Sequence, residues 1–308
     1  MTSILEVKKS VEKIILDKGP LVTGIGLNKD GNRIVIYGRD HRAADGHVHR
    51  SKLGGYQTEF YKTGDFLSFA YGFNPMSIFT SPDPNNPVVP DRVRPICGGV
   101  GISNQDVGGV GTLASIVMDS NGDPYILSNN HVISGNYSVG TKITQPSFAD
   151  GGKEESDTIA TASNFIPYSE DYNIVDAAIA KVAPGTEFYN GILLDEGGKN
   201  YDVITGYRSA KVGERVTKHG RTTGETTGKI IDTDFSTTMP YPNGQRLHFK
   251  DQLLIRLDSV SGDSGSIITG KDGNAVGLLI GGSIDESGKR YVVANKIRNV
   301  FELLNIKL

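Results

Sequence analysis

Ser261-Gly262-Asp263-Ser264-Gly265-Ser266 places a serine between two glycines, directly ahead of the apolar pair Ile267-Ile268. A glycine two positions before the serine lets the backbone turn tightly enough for the amides of Gly262 and Ser264 to converge on one point. Converging amides stabilise an oxyanion by a few kcal/mol per donor. Asp263 is positioned to hold the loop through an internal ion pair or hydrogen bond. A plain Gly/Ser/Asp turn between two strands has the same composition, so the stretch gains meaning from what lies upstream of it.

Two upstream segments supply the missing chemistry. In Tyr125-Ile126-Leu127-Ser128-Asn129-Asn130-His131-Val132-Ile133 a strand runs into polar residues and then a histidine, whose ordinary pKa of about 6.5 suits it to act as a base near neutrality. In Asn173-Ile174-Val175-Asp176-Ala177-Ala178-Ile179-Ala180-Lys181-Val182 an aspartate opens a strand that is apolar at nearly every position. Such an acid is costly without a partner. His131 and Asp176 lie 45 residues apart, and Asp176 and Ser264 lie 88 apart.

Around these segments the composition reads as mostly β. The chain has 308 residues, 39 glycines and 13 prolines, and short runs rich in Val, Ile and Thr recur between turn signals from Gly111 to Val293. Residues 4–17 and 295–304 carry apolar side chains at helical spacing. Leu21–Leu27 and Arg33–Tyr37, joined by Asn28-Lys29-Asp30-Gly31-Asn32, read as a hairpin. Asn74 to Pro95 holds six of the thirteen prolines, which disfavours ladder hydrogen bonds and marks an extended connector. The expected organisation is a small α+β amino-terminal domain over 1–73, a proline-rich connector over 74–97, and a β-rich domain over 98–308 with a closing helix.

Charge and cysteine content narrow the function. A net charge of −3 from 32 basic and 35 acidic residues, with no long basic run, argues against nucleic acid or an anionic membrane as partner. One cysteine, Cys97, excludes an intrachain disulfide and suits a reducing compartment. The first residues mix charges into apolar positions, unlike a secretion signal. No stretch approaches the roughly 18 uninterrupted apolar residues of a membrane helix. A cytoplasmic protein is expected.

Together the segments Leu-Ser-Asn-Asn-His (127–131), Asp-Ala-Ala-Ile-Ala (176–180) and Gly-Asp-Ser-Gly (262–265) resemble the trypsin/chymotrypsin-like serine peptidases, which run His, Asp, Ser along the chain. The resemblance covers about residues 98–295. More narrowly, Arg94–Ile102, Gly111-Thr112-Leu113 and Gly220–Gly228 look like intracellular prokaryotic members that carry an extra amino-terminal domain. The resemblance implies two six-stranded antiparallel β-barrels, with His131 and Asp176 on the first and Ser264 on the second. It also implies Ser264 as nucleophile, His131 as general base, Asp176 as the residue that orients it, and Gly262 and Ser264 as oxyanion donors.

By the same resemblance, Gly277-Leu278-Leu279-Ile280-Gly281-Gly282 looks like the strand that pairs with substrate backbone. Ile280 stands where a serine usually supports the aspartate, and Gly281 replaces an aromatic residue. Asp258 matches the position that selects arginine or lysine side chains; the competing reading is a solvated acid closing the strand Leu253–Leu257. Asp40-His41-Arg42 and Asp45-Gly46-His47-Val48-His49 group histidines and aspartates but read as a solvated loop, so no metal is expected. His219, beside Gly220-Arg221, is a rival base that more plausibly shapes the second barrel.

The expected function is a serine endopeptidase acting on protein or peptide through an acyl-enzyme, without cofactor. The connector permits a latent form freed by movement or cleavage of residues 1–95, at Arg92 or Arg94 for instance, and a regulatory partner acting through the amino-terminal domain. The alternative is a catalytically silent binding module on the same fold.

Overall fold

The computed structural model describes residues 3–17, 22–39, 56–68, 92–104, 106, 109–135, 139–193, 201–241 and 244–308. The histidine-bearing segment 40–49 and connector residues 74–91 lie outside these.

The chain opens with the helix Ile4–Asp17 and continues into β1 (Val22–Leu27), β2 (Ile34–Gly38), β3 (Thr58–Lys62) and β4 (Leu67–Ser68). β1 and β2 form the expected antiparallel hairpin. Next come β5 (Ile96–Gly98), β6 (Gly101–Asn104), β7 (Gly109–Thr112), β8 (Ser115–Met118), β9 (Pro124–Ser128), β10 (Lys142–Thr144), β11 (Thr158–Phe165) and β12 (Ala178–Val182). β13 (Phe188–Leu193), β14 (Tyr201–Val203) and β15 (Gly206–Tyr207) lead to the second half. That half contains β16 (Arg215–Gly220), β17 (Gly224–Pro240), β18 (Arg246–Arg256), β19 (Ile267–Gly270), β20 (Asn274–Ile284) and β21 (Arg290–Lys296).

The first large sheet has the order β7-β6-β10-β11-β12-β9-β8. Its two edge strands are halves of one run, separated only by Leu113-Ala114, so the sheet must curl for one run to border both edges. Counted as one strand, that run makes the sheet six-stranded. Val100, Ile102, Leu113, Ile126, Val132 and Ile143 are buried in its core.

The second sheet closes by pairing alone. β16 pairs β19, β19 pairs β20, β20 pairs β21, β21 pairs β18, β18 pairs β17, and β17 returns to β16. Val216, Ile230, Leu253, Ile255, Ile268 and Leu279 fill it. The closing helix Ile297–Leu304 buries Ile297, Val300, Phe301 and Leu304, the i, i+3, i+4, i+7 stripe of an amphipathic helix. Its apolar face packs with Leu127 and Ile179 from the first sheet and Ile267 and Leu278 from the second.

β17 and β18 are long, at 17 and 11 residues. Their outer halves pair with each other as far as Pro240 and Arg246 and offer an edge to which β1 pairs at Gly24–Thr237 and Ile25–Ser236. The amino-terminal strands are thereby hydrogen-bonded into the sheet of the second barrel. Beneath them Lys8 is almost fully buried, donating to Ser236 Oγ at 3.0 Å and lying 3.3 Å from Glu12 Oε2 and 3.4 Å from Asp234 Oδ2. Among the described residues no helix is long and apolar enough to cross a membrane. Cys97 is buried, and burial pushes its thiol up to about 12.

Asp232 sits in the same seam, accepting from the Leu27 amide and the Tyr37 hydroxyl, each at 3.1 Å, and from the Asp234 amide at 2.8 Å. Burial raises its carboxyl to about 6, against the lowering effect of the Asp234 amide and Lys8. A raised acid holds a proton in the folded state that the unfolded chain has lost, so its contribution to stability grows as pH falls from about 7 toward 4. Hydrogen exchange of the β1 amides should therefore slow over that range relative to its intrinsic rate. Asp232→Asn should flatten this pH dependence, and an unchanged profile in the variant would refute the assignment.

Candidate active site

β9 delivers Ser128 and Asn129 to the start of the short helix Asn130–Ile133, with Asn129 still extended at φ −74° and ψ 155°. This places His131 in the first barrel's core layer, 4% exposed. Asp176 lies two residues before β12 and is fully buried. The backbone around it is held by two asparagines. Asn129 Nδ2 donates to the Asp176 carbonyl at 2.8 Å and Asn295 Nδ2 at 3.1 Å, while the Asp176 amide donates to Asn295 Oδ1 at 3.0 Å.

The Asp176 carboxylate meets His131 and two tyrosines. Oδ2 lies 2.5 Å from His131 Nδ1 and accepts from the Tyr241 hydroxyl at 2.6 Å. Oδ1 accepts from the Tyr168 hydroxyl at 3.1 Å and the His131 amide at 3.2 Å. Burial by itself pushes this carboxyl up, but the facing His131 charge and the hydrogen bonds from His131 and Tyr241 prevail and hold it below its ordinary value. Burial, and then the Asp176 charge, push both phenols well above theirs, so they remain donors. Support for Asp176 thus comes from Tyr168 and Tyr241, with Ile280 fully buried in the same apolar cluster as Tyr241.

Ser264 approaches from the second barrel. The Thr112 amide donates to the Ser264 carbonyl at 2.7 Å, and the Thr112 hydroxyl to the Gly262 carbonyl at 2.9 Å. A side chain at Gly111 would place its Cβ 2.8 Å from Val132 Cγ1 and 2.9 Å from the Ser264 carbonyl oxygen, so the residue after His131 and the backbone of Ser264 flank one point of β7. Only glycine permits that approach. Among the described residues, His131 Nε2 and Ser264 Oγ are both buried and without a hydrogen-bond partner.

Gly262 has φ +96°, in the region that favours glycine. Among the described residues, neither the Gly262 nor the Ser264 amide donates to a backbone carbonyl. Asp263 pins the loop from inside. It accepts from the amides of Thr222, Thr223 and Val260 at 2.9, 3.1 and 3.1 Å, and from the hydroxyls of Thr223 and Ser259 at 2.7 and 3.1 Å. The Lys218 ammonium lies 3.4 Å away with neither side chain exposed. Burial opposes both charges, raising the acid and lowering the amine; in Asp263 the Lys218 charge and the hydrogen bonds outweigh it and keep the carboxylate ionised.

Two other expectations meet the structure differently. Asp258 is exposed just beyond β18, its carbonyl accepting from the Thr226 hydroxyl at 2.8 Å, which matches a solvated acid closing a strand. His219 is buried in β16, its imidazole pushed down to about 4 by burial and the Lys218 charge. Gly281 and Gly282 lie in β20, paired on one side with Val293 and Val292. Tyr168 and Tyr241 escaped the sequence reading because no local pattern marks a tyrosine aimed at a distant carboxylate.

No protein-family model matches the chain, and no curated protein sequence matches it. Solved structures do. A glutamic-acid-specific serine protease described as using a histidine triad in substrate binding superposes with TM-score 0.54 and 16% identity, covering 69% of this chain and 100% of that one. Thermobifida fusca protease A gives 0.52 and 18% over 69% and 97%, and a Nocardiopsis protease 0.52 and 20% over 69% and 98%. The chain therefore has the chymotrypsin fold of the trypsin/chymotrypsin-like serine proteases.

The lowered Asp176 carboxyl has a consequence for acid stability. Its contribution is complete above the ordinary carboxylate value and is lost as pH falls through the lower folded-state value. Urea midpoints measured from pH 7 to pH 2 should fall less steeply on the acid side in Asp176→Asn than in the parent. Equal slopes would show that the carboxylate is not held as described.

Proposed function

We propose that the chain is a serine endopeptidase in which Ser264, His131 and Asp176 act as a triad. One observation carries this reading: His131 Nδ1 is engaged by a buried carboxylate, while His131 Nε2 and Ser264 Oγ are left buried without partners among the described residues. An imidazole held by a carboxylate at Nδ1 and open at Nε2 is oriented to act as a general base.

In the proposed reaction Ser264 Oγ attacks the scissile carbonyl carbon as its proton passes to His131 Nε2. Asp176 keeps the other imidazole proton on Nδ1 and stabilises the imidazolium. The carbonyl oxygen takes up the negative charge and accepts from the Gly262 and Ser264 amides. Nε2 then protonates the departing amine as the C–N bond breaks, and water releases the acyl group by the same path in reverse. This chemistry uses no cofactor. The solitary, buried Cys97 suits a reducing, cytoplasmic setting.

The preference for basic side chains rests on Asp258. In its exposed position the charge is screened by water and attracts a cation weakly. Asp258→Ala should change kcat/KM for peptides with Lys or Arg at the cleaved bond by about fivefold or less. A loss of several hundredfold would establish Asp258 as the specificity acid after all.

A fluorophosphonate reporter tests the function itself. The parent should be labelled on Ser264 and Ser264→Ala should not. Absence of labelling in folded parent protein would favour the silent binding module.

A further inference from the structure

β20 has two edges, and the one beside the nucleophile is paired on both sides of Ile280. Its far edge is taken by β21, from Gly277–Lys296 to Ile284–Arg290. Along the near edge, Ile267 and Ile268 pair with Leu278 and Gly277, then the Gly265 amide donates to the Leu279 carbonyl at 2.9 Å and the Leu279 amide to the Ser266 carbonyl at 3.0 Å. The chain arriving at Ser264 covers this edge no further. From Gly281 onward the edge would be a row of open backbone groups next to the serine, the kind of template on which an extended peptide lies down as an added strand.

The chain's own β4 lies there. Ser68 pairs with Gly281 and Leu67 with Gly282, antiparallel. A side chain at Gly64 would place its Cβ 3.0 Å from both Ser283 Oγ and the Ile284 carbonyl carbon. Residues 64 to 68 therefore run along β20 from Ile284 back to Gly281, in the direction of Ser264. The segment is fastened at its base. Phe66 is 2% exposed and sets its ring edge-on to Phe235 at 5.1 Å, within the cluster that holds Ile280. The Thr63 and Thr23 hydroxyls meet at 2.7 Å, the Thr63 amide donates to the Gly38 carbonyl at 2.8 Å, and Lys62 pairs with Glu286. Ser264 has no exposed surface.

We propose that Gly64–Ser68 is an intramolecular strap occupying the backbone edge an extended peptide needs, so that the folded chain is latent toward peptides until this segment is displaced. The proposal rests on the peptidase reading and specifies its regulation: the amino-terminal segment competes with substrate for the same two glycines. A partner that draws residues 1–68 off β17 and β20 would act as an activator.

Two full-length variants test the strap. Phe66→Ala removes its anchor, and the double variant Leu67→Pro with Ser68→Pro removes both amides of β4 while leaving Phe66 in the core. Casein hydrolysis should rise about tenfold or more in each, the effect of losing a pair of backbone hydrogen bonds or their anchor. Fluorophosphonate labelling of Ser264, which needs no strand pairing, should stay near the parent rate. A second readout does not depend on catalysis. In a Ser264→Ala background, a fluorescein-labelled synthetic peptide of residues Lys62 to Ser68 should bind the strap variants about tenfold or more tightly than the parent, by anisotropy. Equal peptide binding by parent and folded variants would overturn the strap, whatever the labelling shows. Loss of labelling throughout, with tighter binding in the variants, would instead remove the peptidase reading and leave the strap standing.

Discussion

A carboxylate taken out of water must be met by charge and hydrogen bonds, and Asp176 is met on every side. His131 offers its ring nitrogen and its amide, Tyr168 and Tyr241 offer hydroxyls, and Asn129 and Asn295 hold the backbone on which the carboxylate stands. Much of the rest of the fold follows from bringing these donors together. His131 and Tyr168 come from the first barrel and its connection, whereas Tyr241 and Asn295 come from the second, so the seam between barrels is where the charge is satisfied. The long outer halves of β17 and β18 carry Tyr241 to that seam. The same extension provides the edge on which β1 docks, which links the order of the site to the placement of the amino-terminal segment.

A buried lysine–aspartate pair in the second barrel repeats the principle. Lys218 and Asp263 neutralise each other inside the second barrel, and the acid also gathers amides from two separate turns, 222–223 and 260. Pairs of this kind contribute little net stability, since the cost of desolvation offsets the attraction. Their effect here is geometric. With Asp263 fixed, Gly262 is kept at positive φ and the amides that flank Asp263 are free of backbone partners among the described residues.

The segments carrying Ser264, His131 and Asp176 stood out in sequence because each is local: a serine between glycines, a histidine at a strand exit, an aspartate opening an apolar strand. The closing helix was readable for the same reason, its Ile297, Val300, Phe301 and Leu304 falling on one face. What escaped depends on distance along the chain. Tyr241 is 65 residues from Asp176 and lies past the end of a strand whose outer half reads as polar. β4 is two residues long and owes its position to Phe66 packing on Phe235, a contact with no sequence signature. For Asp258 the resemblance to a pocket acid and the solvated strand end were both open, and its exposure is a property of the folded chain alone.

The proposed chemistry and the access to it are separable, since His131 and Ser264 belong to the two barrels while β4 pairs with Gly281 and Gly282 on β20. The decisive measurement for the proposed chemistry is acid-quenched intact mass during turnover of a small activated acyl ester, since such an ester needs no strand pairing. An added acyl mass should map to Ser264 and be absent from Ser264→Ala. An ester hydrolysed with no adduct, or an adduct on another residue, would contradict it.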